Sequence, residues 1–417
     1  MDEKMSQPAP TRLWNKNFLL MWQGSLVSEL GSVLYSVAIG YWVYSATGSS
    51  TLMGLTSSIA MVMRFLLSAV CGAIADRADR KRIIVGMDLA RGILMIAVGA
   101  VALAGRLSVP VVIAAAALGG MADVMFSPAV STVFVDLVPA SELTRAQSLS
   151  GSGTTVIDII GKSISGLLVV AVGVPWLILF NGISFIISAV SEMFIDIPAN
   201  VKQGQPISVS NIIGDMGRGL TAVRSSRVLY RTLFFALGIN MLLSGFYSVM
   251  LVFCTQKGLD VQQYGLLSGI DSVGSLLGMV MVGLIKMDGR TRYRVAAISF
   301  FASIAATALI SWAAGAAAIG LLLAASSFGN AIFNTIFNSA MFLMIPRDKR
   351  GLVIGFVMSG SIAGSAISTM IYGALGDVMS LGAVLPIASA IGIAISIPLF
   401  SDKDFRQVFA DETQEQA

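Results

Sequence analysis

The sequence predicts an all-α integral membrane protein, with twelve transmembrane helices in two pseudo-symmetric six-helix bundles. Three observations predict this class. Of the 417 residues, 56% are hydrophobic and 12% are charged, and the mean hydropathy is +0.83; a soluble domain carries roughly twice that charged fraction. Apolar runs long enough to cross a hydrocarbon core, about 20 residues as a helix, recur along the whole chain. Lys and Arg collect in alternate gaps between those runs, as cytoplasmic loops do.

Read between breakers, the apolar runs fall near 17–44, 51–75, 83–104, 109–137, 144–172 and 175–197. Six more follow near 230–255, 262–286, 294–314, 316–344, 351–376 and 380–400. The first run is too long for a signal peptide and lacks a cleavage site, so it reads as the first span. Several runs exceed the core thickness, which implies tilt or extension into the headgroups. With the chain start placed in the cytoplasm, Arg12, Lys16, Arg80, Lys81, Arg82, Arg145, Arg218, Arg231, Arg290, Arg292 and Arg350 all fall on that side. Only Arg106 and Lys257 fall in the opposite loops, while Arg64, Arg91 and Lys162 lie inside apolar runs. The expected location is therefore a bacterial inner membrane, multi-pass, with both termini cytoplasmic.

The stretch 198–226, with Pro198, Lys202, Gly204, Pro206, Asp215 and Arg224, is the one long polar loop. It separates an N-terminal bundle, 1–197, from a C-terminal bundle and tail, 227–417. Ile207, Ile212, Ile213, Leu220 and Val223 are spaced for a short helix on the membrane surface. The halves resemble each other. Phe126-Ser-Pro-Ala129, Val138-Pro139 and Arg145 echo Phe337-Asn-Ser-Ala340, Ile345-Pro346 and Arg350. Gly161-Lys-Ser-Ile-Ser165 echoes Gly364-Ser-Ala-Ile-Ser368, and Gly72 echoes Gly283. Such internal repeats are characteristic of secondary transporters.

Composition also excludes. The chain has no His and two Cys, Cys71 and Cys254, so neither a metal site nor a disulfide framework is expected. The +4 net charge suits anionic lipid headgroups and calls for no nucleic acid. No phosphate-binding loop and no nucleophile with its base is evident, so the chain is expected not to be an enzyme. A channel would call for a filter or a pore-lining ring, whereas a duplicated six-plus-six chain fits two halves rocking about a site.

The loop after the second span reads Gly72-Ala-Ile-Ala-Asp76-Arg77-Ala-Asp79-Arg80-Lys81-Arg82, followed by Asp88-x-x-Arg91. It resembles the cytoplasmic loop motif of the major facilitator superfamily, in the form found in its drug- and siderophore-exporter branch and most closely in the macrolide-efflux group. The resemblance covers the whole chain, with Ser127-Pro128-Ala129 on the fourth span, and implies the major facilitator fold. It further implies that Gly72, Asp76, Arg77, Asp79 and Arg80 form a cytoplasmic gate. There Asp76 would meet the N-terminus of the eleventh span, positioned by Arg77 and Arg80. Two positions depart from the pattern. Gly119 stands where many proton-coupled exporters carry Arg, and Lys162 follows Gly161 where antiporters carry Gly-Pro.

Ionisable side chains near a bilayer centre are costly and need a partner or a wet cavity. Glu29, Arg64, Asp123, Asp158 and Asp271 lie roughly 16 to 23 Å from the cytoplasmic ends of their spans at helical rise. Glu29, Asp123, Asp158 and Asp271 are the proton-coupling candidates. Ser25, Glu29, Ser32 and Ser36 share one face of the first span, which by the family resemblance would line a central cavity. The alternative for Glu29 is a structural pair with Arg64. Asp158 and Lys162, spaced i,i+4, read equally as an ion pair. Asp88, Arg91 and Glu192 lie closer to the cytoplasmic surface and read as structural. Substrate-cavity candidates are Ser25, Ser32, Tyr35, Arg64, Lys162, Asn240, Tyr247, Asn330, Asn334 and Phe337.

The expected function is export of small amphipathic organic molecules, drug- or macrolide-like, by alternating access and proton antiport. No cofactor is expected beyond the proton gradient, and the expected partners are cargo and membrane lipid, with a monomer as the working unit. A siderophore exporter, or a lysophospholipid or organic-anion transporter, would use Arg64 and Lys162 for an anionic cargo. A non-transporting membrane receptor is a more distant reading.

Overall fold

A computed structural model describes residues 12–75, 78–197, 227–285, 287–345, 350–403 and 405–406. Twelve of its helices are long and apolar enough to cross a membrane, and no strand occurs among the described residues. In the first half these are α1 (Lys16–Thr47), α2 (Ser50–Ala75), α3 (Arg80–Leu103), α4 (Val109–Asp136), α5 (Leu143–Ala171) and α6 (Val174–Met193). The second half holds α7 (Arg227–Ser248), the short α8 (Met250–Gln256), α9 (Val261–Leu284), α10 (Gly289–Ile310), α11 (Gly315–Met344), α12 (Arg350–Val378) and α13 (Leu381–Ser401). Leu66, Ile93, Leu118, Leu284, Ile298 and Leu321 are exposed, as residues facing lipid are.

Local chemistry sets the helix ends. Asp79 caps α3, accepting from the amides of Lys81 at 3.0 Å and Arg82 at 3.3 Å. Asp260 and Gln263 close a capping box on α9. Pro110 and Pro175 stand in the first turns of α4 and α6, where a missing amide costs nothing. Gly48, at φ +66°, makes the tight turn between α1 and α2 that only glycine enters freely.

Three boundaries differ from those the hydropathy pattern suggests. The sixth span ends at Met193, four residues before the apolar run does. The seventh breaks at Val249 into α7 and α8. The ninth starts at Gly289, behind Asp288, so that Arg290, Arg292 and Arg294 lie inside the helix. The surface helix expected in 198–226 lies outside the described residues.

The chain divides into two compact units, Met1–Trp42 with Ile59–Ser208, and Val43–Ser58 with Val209–Ala417. In the first, α3 and α6 cross closely at glycines: a Cβ on Gly182 would sit 2.8 Å from the Ile96 amide nitrogen, and one on Gly92 would sit 3.0 Å from the Gly182 carbonyl. Small residues permit such approach where lipid offers no hydrophobic drive. In the second, Gly274 of α9 packs on the backbone of Ala324 in α11. Phe235, Phe300, Phe333, Phe337, Phe400 and Phe405 form its aromatic core.

Candidate functional site

The second unit contains a cavity of about 420 Å³ among α7, α10, α11 and α12, within the usual range for small-molecule sites. Its wall joins Asn240, Ser244 and Tyr247 of α7 to Asn330, Asn334 and Asn338 of α11, with Phe333 and Phe337 between the amides. Steps of four residues place the three α11 asparagines on one face. Asn334 donates to the Asn330 carbonyl at 3.0 Å and also bonds its side chain, while Ser365 donates to Asn240 at 2.8 Å. Phe333 and Phe337 stack, centroids 5.1 Å apart. Among the described residues, no charged side chain lines this cavity. Asn240, Tyr247, Asn330, Asn334 and Phe337, each picked from sequence, are therefore brought together.

Asp271, on α9, takes a hydrogen bond from Ser327 of α11. It does not line the cavity.

The first unit gathers the ionisable groups. Arg64 of α2 pairs with Asp123 of α4 rather than with Glu29, and Arg91 of α3 reaches the other oxygen of Asp123 at 3.4 Å. Arg91 also pairs with Asp88, one turn earlier, and lies over the rings of Phe126 at 4.1 Å and Phe185 at 4.5 Å. On α5, Lys162 and Asp158 form an i,i+4 ion pair at 2.8 Å. Glu29 stands within electrostatic reach of Asp158, Asp123 and Lys162. On its own helix face, Ser32 and Ser36 donate back to the carbonyls of Ser28 and Val33, the ordinary state of a hydroxyl in a helix. Ser25 and Tyr35 lie half-buried on the same helix.

Of the expected gate residues, Asp76 and Arg77 lie outside the described residues. Gly72 belongs to the last turn of α2 and Asp79 caps α3. The guanidinium of Arg80, expected to position Asp76, binds Asp136 at the end of α4 at 3.1 Å; its contact with Asp76 lies outside the described residues.

Two sets of residues went unnoticed in the sequence. Asp377 of α12 holds the start of α2 through Ser49, Ser50 and Thr51; a single carboxyl at the edge of an apolar run gives no signal of its partner. Asn181, Ser184 and Ser188 extend from Glu192, itself read from the sequence as structural, into a buried polar stripe along α6, and the three- and four-residue steps were the readable sign.

A family model described as Major Facilitator Superfamily matches residues 21–369. Macrolide efflux protein A of Streptococcus pyogenes is 24% identical over 220 residues, covering 53% of this chain and 54% of that protein. The chain thus matches about half the length of this relative. The uncharacterized MFS-type transporter YkuC of Bacillus subtilis (strain 168) is 23% identical over 304 residues, 70% of this chain and 69% of that one. Among solved structures, the nucleoside transporter NupG superposes with a TM-score of 0.73 at 12% identity, covering 92% of this chain and 99% of that one. A bacterial homologue of the iron transporter ferroportin gives 0.69 at 15% identity, covering 92% and 98%. These structural likenesses concern the fold.

Proposed function

The chain belongs to the major facilitator superfamily, and we propose that it exports amphipathic, macrolide-like organic molecules by alternating access in exchange for protons. It is a multi-pass transporter and not an enzyme. The observation that carries the cargo class is the cavity of the second unit, where four asparagines and a stacked phenylalanine pair stand without a charged neighbour among the described residues of the wall. A few amides in an apolar wall orient a large greasy ligand without demanding that it be ionic. The partial match to macrolide efflux protein A supports the same cargo.

An anionic cargo such as a siderophore would need cations to receive it. Arg64 and Lys162 are each already paired with a carboxylate, Asp123 and Asp158, which favours the uncharged or cationic reading. The concentration of Lys and Arg in alternate gaps supports a bacterial inner-membrane location with both termini in the cytoplasm. Lys257, an exception to that pattern, donates to the carbonyls of Ser311 at 2.5 Å and Ala313 at 3.3 Å beyond the end of α10. Each chain contains its own cavity, so a monomer suffices.

The test is uptake of erythromycin and a cationic dye into inverted membrane vesicles, with and without a protonophore. Accumulation that collapses with the protonophore is the expected result, and Glu29→Gln is expected to abolish it. Accumulation indifferent to the protonophore would refute antiport, and no accumulation of either probe would refute the cargo class.

A further inference from the structure

We propose that the carboxyl pair Asp88 and Glu192, enclosed between α3 and α6, is a proton-binding site that holds one exchangeable proton of the transport cycle. Its place in the cycle rests on the antiport reading above; the binding of the proton itself does not.

The site is built by the close crossing of α3 and α6 at Gly92 and Gly182. Asp88, one turn before Gly92 on α3, is fully buried; Glu192, near the end of α6, is 3% exposed and Arg91 is 8% exposed. Among the described residues, Arg91 is the one cation paired with these acids, and it is already engaged. It bonds one oxygen of Asp88 and one of Asp123, and its guanidinium lies over the rings of Phe126 and Phe185. Among the described residues, neither the second oxygen of Asp88 nor Oε2 of Glu192 has a hydrogen-bond partner.

The charge count decides the protonation. Asp88 and Arg91 come from α3, Asp123 from α4, Glu192 from α6 and Arg64 from α2. Three carboxyls therefore face two guanidiniums among the described residues, Arg64 is taken by Asp123, and the remaining cation nearby, Lys81, is half-exposed at the crevice beside Glu192. An unpaired carboxylate buried here would face a desolvation penalty of several kcal/mol, and a bound proton removes it. A protonated carboxyl also gains an O–H donor, which is what the two free oxygens lack. Ser188, one turn before Glu192, faces both acids.

Glu192 also lines a narrow crevice with Lys81, Ile84, Val85, Val133 and Ile197, in which Lys81, from the first turn of α3, is the other charged group. The crevice has no room for a water molecule in this structure, so proton exchange with water requires it to open. In the other direction, Asp88, Arg91 and Asp123 form a continuous line toward the middle of α4, where Glu29 is within electrostatic reach of Asp123. Protonation of the pair loosens Arg91 from Asp88 and strengthens its hold on Asp123. Loading the site is thereby coupled to the charges at mid-span.

The experiment is infrared difference spectroscopy of the purified full-length transporter in liposomes under a pH jump, run beside vesicle uptake of a cationic dye. Wild type should show a carboxylic acid C=O band at neutral pH that is lost in Glu192→Gln. That variant, an isostere of the neutral acid, should keep its melting temperature, while Asp88→Asn should lower it by stranding Arg91. In uptake, Glu192→Gln should lose at least tenfold of the protonophore-sensitive accumulation yet equilibrate dye down its gradient at the wild-type rate, and Glu192→Asp should restore pH dependence. A band that persists in both Glu192→Gln and Asp88→Asn overturns the site. So does a sodium gradient replacing the proton gradient in wild type with the same loss in Glu192→Gln. If wild type shows no protonophore-sensitive uptake, the antiport reading fails, and the fate of the band then decides the proton site alone.

Discussion

Asp377 caps the first turn of α2 through Ser50: one carboxylate oxygen accepts from the Ser50 amide at 2.5 Å and from its hydroxyl at 2.6 Å. The other oxygen accepts from the Ser49 hydroxyl at 2.8 Å and the Thr51 amide at 3.1 Å. The free amides and positive dipole end of a helix start are thus satisfied by an acid more than three hundred residues away. Ser50 in turn donates to the Gly373 carbonyl at 2.7 Å. A Cβ on Gly54 would lie 2.8 Å from the Thr369 carbonyl, so glycine keeps the two helices this near. This contact is why the start of α2 belongs to the second compact unit.

Hydrogen bonds to a charged group contribute about 1.5–3 kcal/mol each when buried. Asp377→Ala is therefore expected to destabilise the protein by roughly that much in total, since part of the clasp is exposed, and Asp377→Asn by less. Thermal unfolding in detergent measures both. Equal melting of wild type and Asp377→Ala would show that the clasp contributes nothing to the fold.

The two arms of Asp123 differ in depth. Arg64 is half-exposed and Arg91 is buried, so their pairs should contribute unequally. Arg64→Gln is expected to change stability by about 1 kcal/mol or less, whereas Arg91→Gln should cost about 3–5 kcal/mol because it leaves Asp88 without its cation. Unfolding of the two variants side by side checks this order, and the reverse order would contradict the geometry.

Asp158 and Lys162 are each about a third exposed, and an i,i+4 pair of this kind contributes about 0.3–0.5 kcal/mol. Asp158→Asn alone removes the i,i+4 partner of the ammonium and should slow uptake, and Asp158→Asn with Lys162→Gln should restore it at unchanged stability. Uptake lost in the double variant as well would make Asp158 a group of the transport cycle rather than half of a structural pair.

In the cavity, Asn334 bonds only its neighbour Asn330 among the described residues, so its amide is available to cargo. Asn334→Leu should weaken macrolide affinity about tenfold, the equivalent of about 1.4 kcal/mol, and leave the melting temperature unchanged. Asn240→Leu removes the acceptor of the Ser365 hydroxyl and should lower stability by about 1 kcal/mol. Inhibition of dye uptake by erythromycin separates the two effects.

The sequence by itself determined the class, the twelve spans and the polar face of α11, because both hydropathy and side-chain period are local along a helix. Length against bilayer thickness and the step of four residues suffice for them, and Asn330, Asn334 and Phe337 were readable in this way. Caps such as Asp79 and Asp260 are equally local. Partnership across helices is not. Arg64 faces Asp123 rather than Glu29, Arg80 faces Asp136, and Asp377 faces Ser50, since which helices adjoin, at what rotation and depth, depends on glycine-permitted crossings distant in the chain. Glu192 and Asp88 read as surface-near structural charges for the same reason. Only the tertiary structure encloses them behind Gly92 and Gly182, and enclosure is what turns a surplus carboxyl into a holder of a proton.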